Sequence, residues 1–260
     1  MKLKTDGIVL KDRVVRGLAV FSAFSLIGPL FVLLGGGVML GQDWRSASRD
    51  SAAIAPVAKD HPEALVQVYA ARTFGWRGAF GVHSWIATKE KEALQYTVFE
   101  VIGWRALHGE PVVVAHEDVP DRLWFGHRPE IIAEKRGREA EALIPQIRAA
   151  VSRYPYAQTY QMWPGPNSNT FTAFVARQVP GLGLNLPPTA IGKDYLDPDT
   201  LLAPTPSGTG KQVSLAGLIG ISLAEKEGLE INLLGLSFGV EPWPLTLRWP
   251  GLGRLGWGKE

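Results

Sequence analysis

Ser168 and His83 are the two residues whose types and settings best suit chemistry. Ser168 lies in Trp163-Pro164-Gly165-Pro166-Asn167-Ser168-Asn169-Thr170-Phe171. The two prolines and the glycine forbid a helix upstream, and Asn167 suits an N-cap. Phe171, Phe174 and Val175 then recur at helical spacing until Val179-Pro180-Gly181 stops the run. Ser168 is therefore expected in the first helical turn, beside the positive end of the dipole and near free backbone N–H groups. Asn167 and Asn169 flank it as candidate cap, oxyanion or positioning residues.

The dipole alone cannot activate a hydroxyl. A thiol with a pKa of about 8.5 can be brought to the thiolate by a helix N-terminus and a cation, but an alcohol starts several units higher. A dipole contribution of roughly 0.3 to 2 kcal/mol, set against about 1.4 kcal/mol per pKa unit, is too small to ionise it. A general base must take the proton during attack.

His83 is the best base on offer. It lies in Phe80-Gly81-Val82-His83-Ser84-Trp85-Ile86-Ala87-Thr88, a strand pattern that puts Val82, Ser84 and Ile86 on one face and His83, Trp85 and Ala87 on the other. A strand histidine and a later helix-borne serine make a dyad if they meet in space. The alternative for His83 is a hydrogen-bonded, half-buried strand residue. His61 precedes a proline, His108 lies in a glycine-containing turn, and His116 and His127 flank an acidic, Pro-containing loop. No histidine pair has metal-ligand spacing, so no metal and no cofactor is expected.

A strand carrying His83-Ser84-Trp85, followed later by Asn167-Ser168-Asn169-Thr170-Phe171 at a helix start, resembles the circularly permuted papain-like proteins. These include the lecithin:retinol acyltransferase group and the permuted NlpC/P60 hydrolases. The resemblance implies an antiparallel sheet packed on helices, with a nucleophile at the position of Ser168. That position carries cysteine in those families, whereas this chain has none. More closely, the chain from about Ala64 onward resembles a bacterial family known as domain of unknown function 3750, a label that implies no activity.

The elements that must position these residues follow from the rest of the 260-residue chain. Residues 17–42 contain no charged side chain. A membrane helix needs roughly 20 such residues and a cleavable signal core about 7 to 15, so the stretch reads as a transmembrane signal anchor. Ala53-Ile54-Ala55 could alternatively mimic a processing site. Lys2, Lys4, Lys11, Arg13 and Arg16 against Asp6 and Asp12 give residues 1–16 a charge of +3, which keeps this stub cytoplasmic. With +2 overall, the remainder carries −1, so nothing points to nucleic acid.

Residues 43–62 read as a linker, and residues 63–260 as an extracytoplasmic α+β domain. Strands are expected over Leu65–Arg72, around His83, over Tyr96–Gly103 and over Val112–His116. In the third, Tyr96, Val98, Glu100 and Ile102 share a face, so Glu100 could orient His83 from a neighbouring strand or lie exposed at an edge. A helix is expected over about 138–153, kinked or divided at Pro145. Tyr160 and Trp163 could wall a cleft or pack in the core.

Residues 182–206 read as a Pro-rich loop, and Gln212–Ser222 with Leu229–Val240 as a hairpin. Gly208-Thr209-Gly210-Lys211 lacks the rest of a phosphate loop, and Asp194, Asp197 and Asp199 lack calcium-loop spacing. Trp243, Trp249 and Trp257, interspersed with Pro242, Pro244, Pro250, Arg248 and Arg254, suit a bilayer headgroup region or an irregular packed tail. The sequence thus predicts a single-pass inner-membrane protein with the lipid bilayer as partner. Its Ser168–His83 pair would act as a hydrolase or acyltransferase on cell-wall peptides or lipids. A non-catalytic envelope binding or scaffold protein is the rival.

Overall fold

The computed structural model describes residues 2–256, excepting the side chains of residues 2–15, 18 and 19; Trp257 lies outside the described residues. Mixed helix and antiparallel sheet make the chain an α+β protein, built on two separate sheets.

The first sheet holds the sequence-predicted strands. It comprises β1 (Leu65–Arg72), β2 (Val82–Lys89), β3 (Thr97–Val101), β4 (Val113–Glu117) and β5 (Glu130–Arg136), in the order β4-β3-β2-β1-β5. β5 was not expected; Lys135 and Arg136 at its end read in sequence, with Arg138, Glu139 and Glu141, as a solvated charged face. Its register with β1 shifts between Val68 and Tyr69, which interrupts the simple alternation a strand would show.

Strand alternation gives this sheet two different faces. Val66, Val68, Ile86, Phe99 and Val101 point to one side, where they pack with α2 (Gly137–Ser152) and α3 (Ser168–Gln178) through Leu143, Ile144, Ile147, Phe171 and Val175. Leu65, Tyr69, Trp85, Ala87 and Val98 point to the other side, under Ala47, Trp124 and Phe125. α2 runs unbroken through Pro145, because the amphipathic face holds both halves to the sheet and offsets the lost amide and the crowding of the carbonyl one turn back. The segment expected as a linker lies against the second face. Ala52 N donates to Asp121 O at 3.0 Å, and Ile54 N and Ala55 N donate to Asp121 Oδ2 at 2.7 and 3.0 Å.

The C-terminal third forms a seven-stranded meander in place of the expected hairpin and tail. β6 (Leu202–Pro204), β7 (Gly210–Leu215), β8 (Ile219–Ala224), β9 (Gly228–Leu233), β10 (Leu236–Pro242), β11 (Leu245–Trp249) and β12 (Gly253–Gly256) pair in chain order. Gly228 opens β9 at φ +68°, with Val240 O only 2.0 Å from where a Cβ would stand, so this turn requires glycine. Polar residues line the buried face, including Gln212, Ser214, Glu230, Asn232 and Arg248, while aliphatic residues face outward.

The N-terminal helix α1 (Lys2–Leu34) ends where Gly35-Gly36-Gly37 begins, earlier than residue 42. Among the described residues no helix is long and apolar enough to cross a membrane; Leu18 and Ala19 of the expected span fall among the side chains outside them. Phe21 and Phe24 of α1 pack on Phe238 and Trp249 of the second sheet.

Candidate functional site

α3 begins as its sequence predicts. Asn167 caps it, its Oδ1 accepting from Asn169 N at 2.9 Å and Thr170 N at 3.1 Å, while Thr170 Oγ1 accepts from Asn167 N at 3.1 Å. Asn167 Nδ2 also donates to Met162 O and Ile191 O, each at 3.0 Å. The Asn169 and Thr170 amides are thereby already bonded to the side chain that caps their helix.

Asn169 is fixed as firmly. Its Nδ2 donates to Val82 O at 2.9 Å and to Ile191 O at 2.8 Å, and its Oδ1 accepts from the Ser84 hydroxyl at 2.8 Å. Ser84 also donates to Thr172 Oγ1 at 3.0 Å. These bonds place α3 on the face of β2 that carries Ser84 and Ile86.

His83 therefore points away from Ser168. The dyad expected from sequence is not brought together: a five-stranded sheet lies between the imidazole and the helix, and both residues are buried, 5 % and 6 % exposed. The alternation of β2 is as the sequence shows it. Nothing in that alternation says which face the distant helix will cover, and α3 covers the one without His83.

On its own face His83 belongs to a different constellation. Its ring stacks on Trp124 with centroids 3.6 Å apart and planes at 8°, and Trp85 stacks at 5.7 Å. Glu100, on β3, reaches it at 3.4 Å between Oε2 and Nε2. Glu100 is buried, not an exposed edge carboxylate. Its Oε1 accepts from His116 at 3.1 Å and from Arg122, whose other nitrogen donates to Asp118 at 2.6 Å.

The electrostatics of this cluster are those of a paired buried charge. Burial alone would raise the Glu100 carboxyl, but hydrogen bonds from His116 and His83 and the Arg122 charge outweigh it and hold it well below the usual carboxylate range. Burial lowers His83, more than Glu100 raises it. The hydrogen bond to Glu100 raises His116 against its partial burial. Glu100, His116 and Asp118 bring three possible ligand atoms within 4.8 Å of one another, yet Arg122 already bridges the two carboxylates as their cation. A cation site would have to displace that guanidinium.

Tyr160 packs at the edge of the α-side core with its ring against Gly103, and Trp163 is half exposed, donating to Leu234 O at 2.9 Å. Neither walls the open groove beside β5. That groove, of about 800 Å³, lies between the free edge of β5 and the second sheet, lined by Arg72, His127, Arg128, Glu130, Lys226 and Arg254 among others. Arg72 ties the two sides together, donating to Gly78 O at 2.7 Å and to Gly251 O at 3.1 Å. Ser168, Asn167, Asn169, His83 and Glu100 are all absent from its lining. Sequence reasoning missed the groove because it is made by β5 and by strands read as a tail.

A sheet with two helices on one face, a charge cluster under tryptophans on the other, and a lateral groove define the class of molecule. The profile of the family described as protein of unknown function, DUF3750, matches residues 63–195, and the chain belongs to that family. The matched region covers the first sheet, α2 and α3 and stops before β6. No curated protein and no solved structure matches the chain.

Proposed function

We propose that this chain is a membrane-anchored envelope protein that binds or scaffolds and does not turn over a substrate. The opposite placement of Ser168 and His83 on the first sheet carries this reading. A serine whose candidate base lies across the sheet, and whose neighbouring Asn169 and Thr170 amides are spent on the cap, lacks the general base that acyl transfer requires. α3 packed on an antiparallel sheet still resembles the permuted papain-like arrangement, so the chain reads as a descendant that keeps the scaffold without the chemistry.

Anchoring is supported by the uncharged stretch 17–42 behind a +3 stub, which suits attachment to the inner membrane. Binding falls to the groove beside β5. Arg72, Arg128, Lys135, Lys226 and Arg254 against Glu130 and Glu134 make its lining net basic, which suits a carboxylate-bearing ligand such as a cell-wall peptide.

A fluorophosphonate probe on the folded, detergent-solubilised full chain tests the catalytic question. The expected result is no labelling at residue 168. Labelling abolished by both Ser168→Ala and His83→Ala would overturn the proposal and restore the hydrolase or acyltransferase reading.

A further inference from the structure

The second sheet is built inside out. In an ordinary half-buried sheet the apolar face packs inward and the polar face meets water. Here Glu230, Asn232, Glu241 and Arg248 are buried, and the residues alternating with them are exposed aliphatics. The buried polar face is satisfied by its own network: Lys193 bonds Asp194 and Glu230, and Arg248 bonds Glu230, Glu241, Asn185 and Leu186 O.

The exposed side is ordered into rows by the strand register. Val213, Ile221, Ile231 and Phe238 stand opposite one another across β7 to β10. Leu223, Leu229, Val240, Leu247 and Leu255 form a parallel row from β8 to β12. Lys211, in register with Leu223, is the one charged side chain pointing outward in β7 to β11 among the described residues. With strands about 4.8 Å apart and a rise of about 3.3 Å per residue, the face measures on the order of 30 by 20 Å, at the upper limit of what a soluble monomer leaves open.

We propose that this face is a lipid-contact surface, lying with α1 in the interface of the bilayer; the inference rests on the membrane-anchored reading above. The occupant is indicated by continuity. α1 already lies on one end of the same face, through Phe21 and Phe24 against Phe238 and Trp249. Its far side carries Val20, Ile27, Leu30, Phe31 and Leu34, all exposed. A helix apolar on the side that meets the sheet and on the side that does not calls for a surrounding apolar medium, which a single protein partner on the sheet would not supply.

The contact is interfacial in depth. β6 and β12 end the sheet with unpaired edges, whose backbone groups must stay out of hydrocarbon, so only the outward side chains enter, to about 5–10 Å. Trp243, 89 % exposed at the β10–β11 turn, and the Lys211 ammonium suit the headgroup layer at the rim.

The chain has no cysteine, so a single reporter can be placed anywhere. Full-length Ile221→Cys and, as control, Leu107→Cys, also exposed but between β3 and β4 of the first sheet, are labelled with bimane and reconstituted in phosphatidylethanolamine–phosphatidylglycerol vesicles. Flotation reports anchoring, and the probe reports the face. The expected result is flotation of both, with the residue-221 probe quenched several-fold more by brominated acyl chains and several-fold less by aqueous iodide than the residue-107 probe. Flotation with equal iodide quenching at both positions overturns the lipid face and leaves the anchor standing. A residue-221 probe protected from both quenchers also overturns it, in favour of a second copy of the chain. Failure to float removes the anchor and this inference together.

Discussion

Ser84 donates its hydroxyl to Asn169 Oδ1 at 2.8 Å, and this bond fixes α3 to the face of β2 that His83 leaves. Asn169 makes three side-chain bonds, accepting from the Ser84 hydroxyl and donating to the carbonyls of Val82 and Ile191. Removing it strands those buried groups, each worth about 1–3 kcal/mol when left unmade. Asn169→Ala should therefore lower unfolding free energy in urea by about 2–4 kcal/mol. Ser168→Ala, whose hydroxyl takes part in no comparable network, should cost less than about 1 kcal/mol. Reversal of that order would show that the serine, and not its neighbour, is the structural hub.

The pH dependence of stability should expose the second cluster. His83 is held neutral by burial, so its contribution is fully present above about pH 6.5, its unfolded value, and is lost as pH falls toward its lowered folded value. Glu100, also lowered, contributes above about pH 4.3 and loses that contribution on further acidification. His116 is raised, so its contribution has the opposite sign: it is present below about pH 6.5 and fades as pH rises. The His116 side chain is 39 % exposed and solvent screens its pairing, so His83 should dominate. The expected curve falls from about pH 6.5 downward, with a second, steeper fall below about pH 4.3. His83→Gln should flatten the first part and keep the second. A variant curve that runs parallel to wild type over both parts would assign the upper part to another group.

Strands β1 to β4, α2 and the Asn167 cap were legible because each is specified locally, by period, by turn residues and by the cap itself. The faces of β2 and β3 were legible too: His83 with Trp85, and Glu100 with Val98 and Tyr96, follow from alternation alone. What alternation cannot supply is the side on which a helix eighty residues away will pack, and the expected dyad depended on that. The second sheet was legible only in part: Gln212–Ser222 and Leu229–Val240 read as two strands where the chain folds each into two, β7 with β8 and β9 with β10, and the rest was hidden for a different reason. In β7 to β11 the pattern of alternating polar and apolar residues is a strand pattern, but the prolines and tryptophans between Pro242 and Pro250 suggested an irregular tail. The prolines sit at the end of β10, in the β10–β11 turn and just after β11, positions where a missing ladder donor is tolerated.

The buried network of the second sheet makes a separate prediction. The Arg248 side chain is 0 % exposed and answers two buried carboxylates, Glu230 and Glu241. Truncating it leaves Glu230 with the cation Lys193 alone and Glu241 with the cation Arg254 alone, and strands Asn185 Oδ1 and Leu186 O, so Arg248→Ala should destabilise the protein by about 3 kcal/mol. Lysine cannot reproduce the fork that also reaches Asn185 and Leu186 O, so Arg248→Lys should recover only part of the loss. A triple replacement of Arg248, Glu230 and Glu241 by apolar residues of similar size should do better than Arg248→Ala alone. If thermal melts show the single truncation to be as stable as wild type, the network does not organise the sheet.

Groove charge supplies the last prediction. Arg128 and Lys226 are exposed and line opposite walls, one beside β5 and the other in the turn before β9. Neither forms an ion pair among the described residues, so reversing them disturbs no buried partner. Lys226 donates to Gly183 O at 2.9 Å, a single exposed bond whose loss should change stability by less than about 1 kcal/mol. Binding of an acidic cell-wall stem peptide, followed by calorimetry, should weaken roughly tenfold in Arg128→Glu and further in the double variant with Lys226→Glu, as about 1.4 kcal/mol per tenfold requires. The loss should shrink as salt is raised, because exposed charges are screened within about 8–10 Å at physiological ionic strength. Equal affinity in wild type and double variant would place the ligand outside this groove, whatever the fate of the membrane anchor.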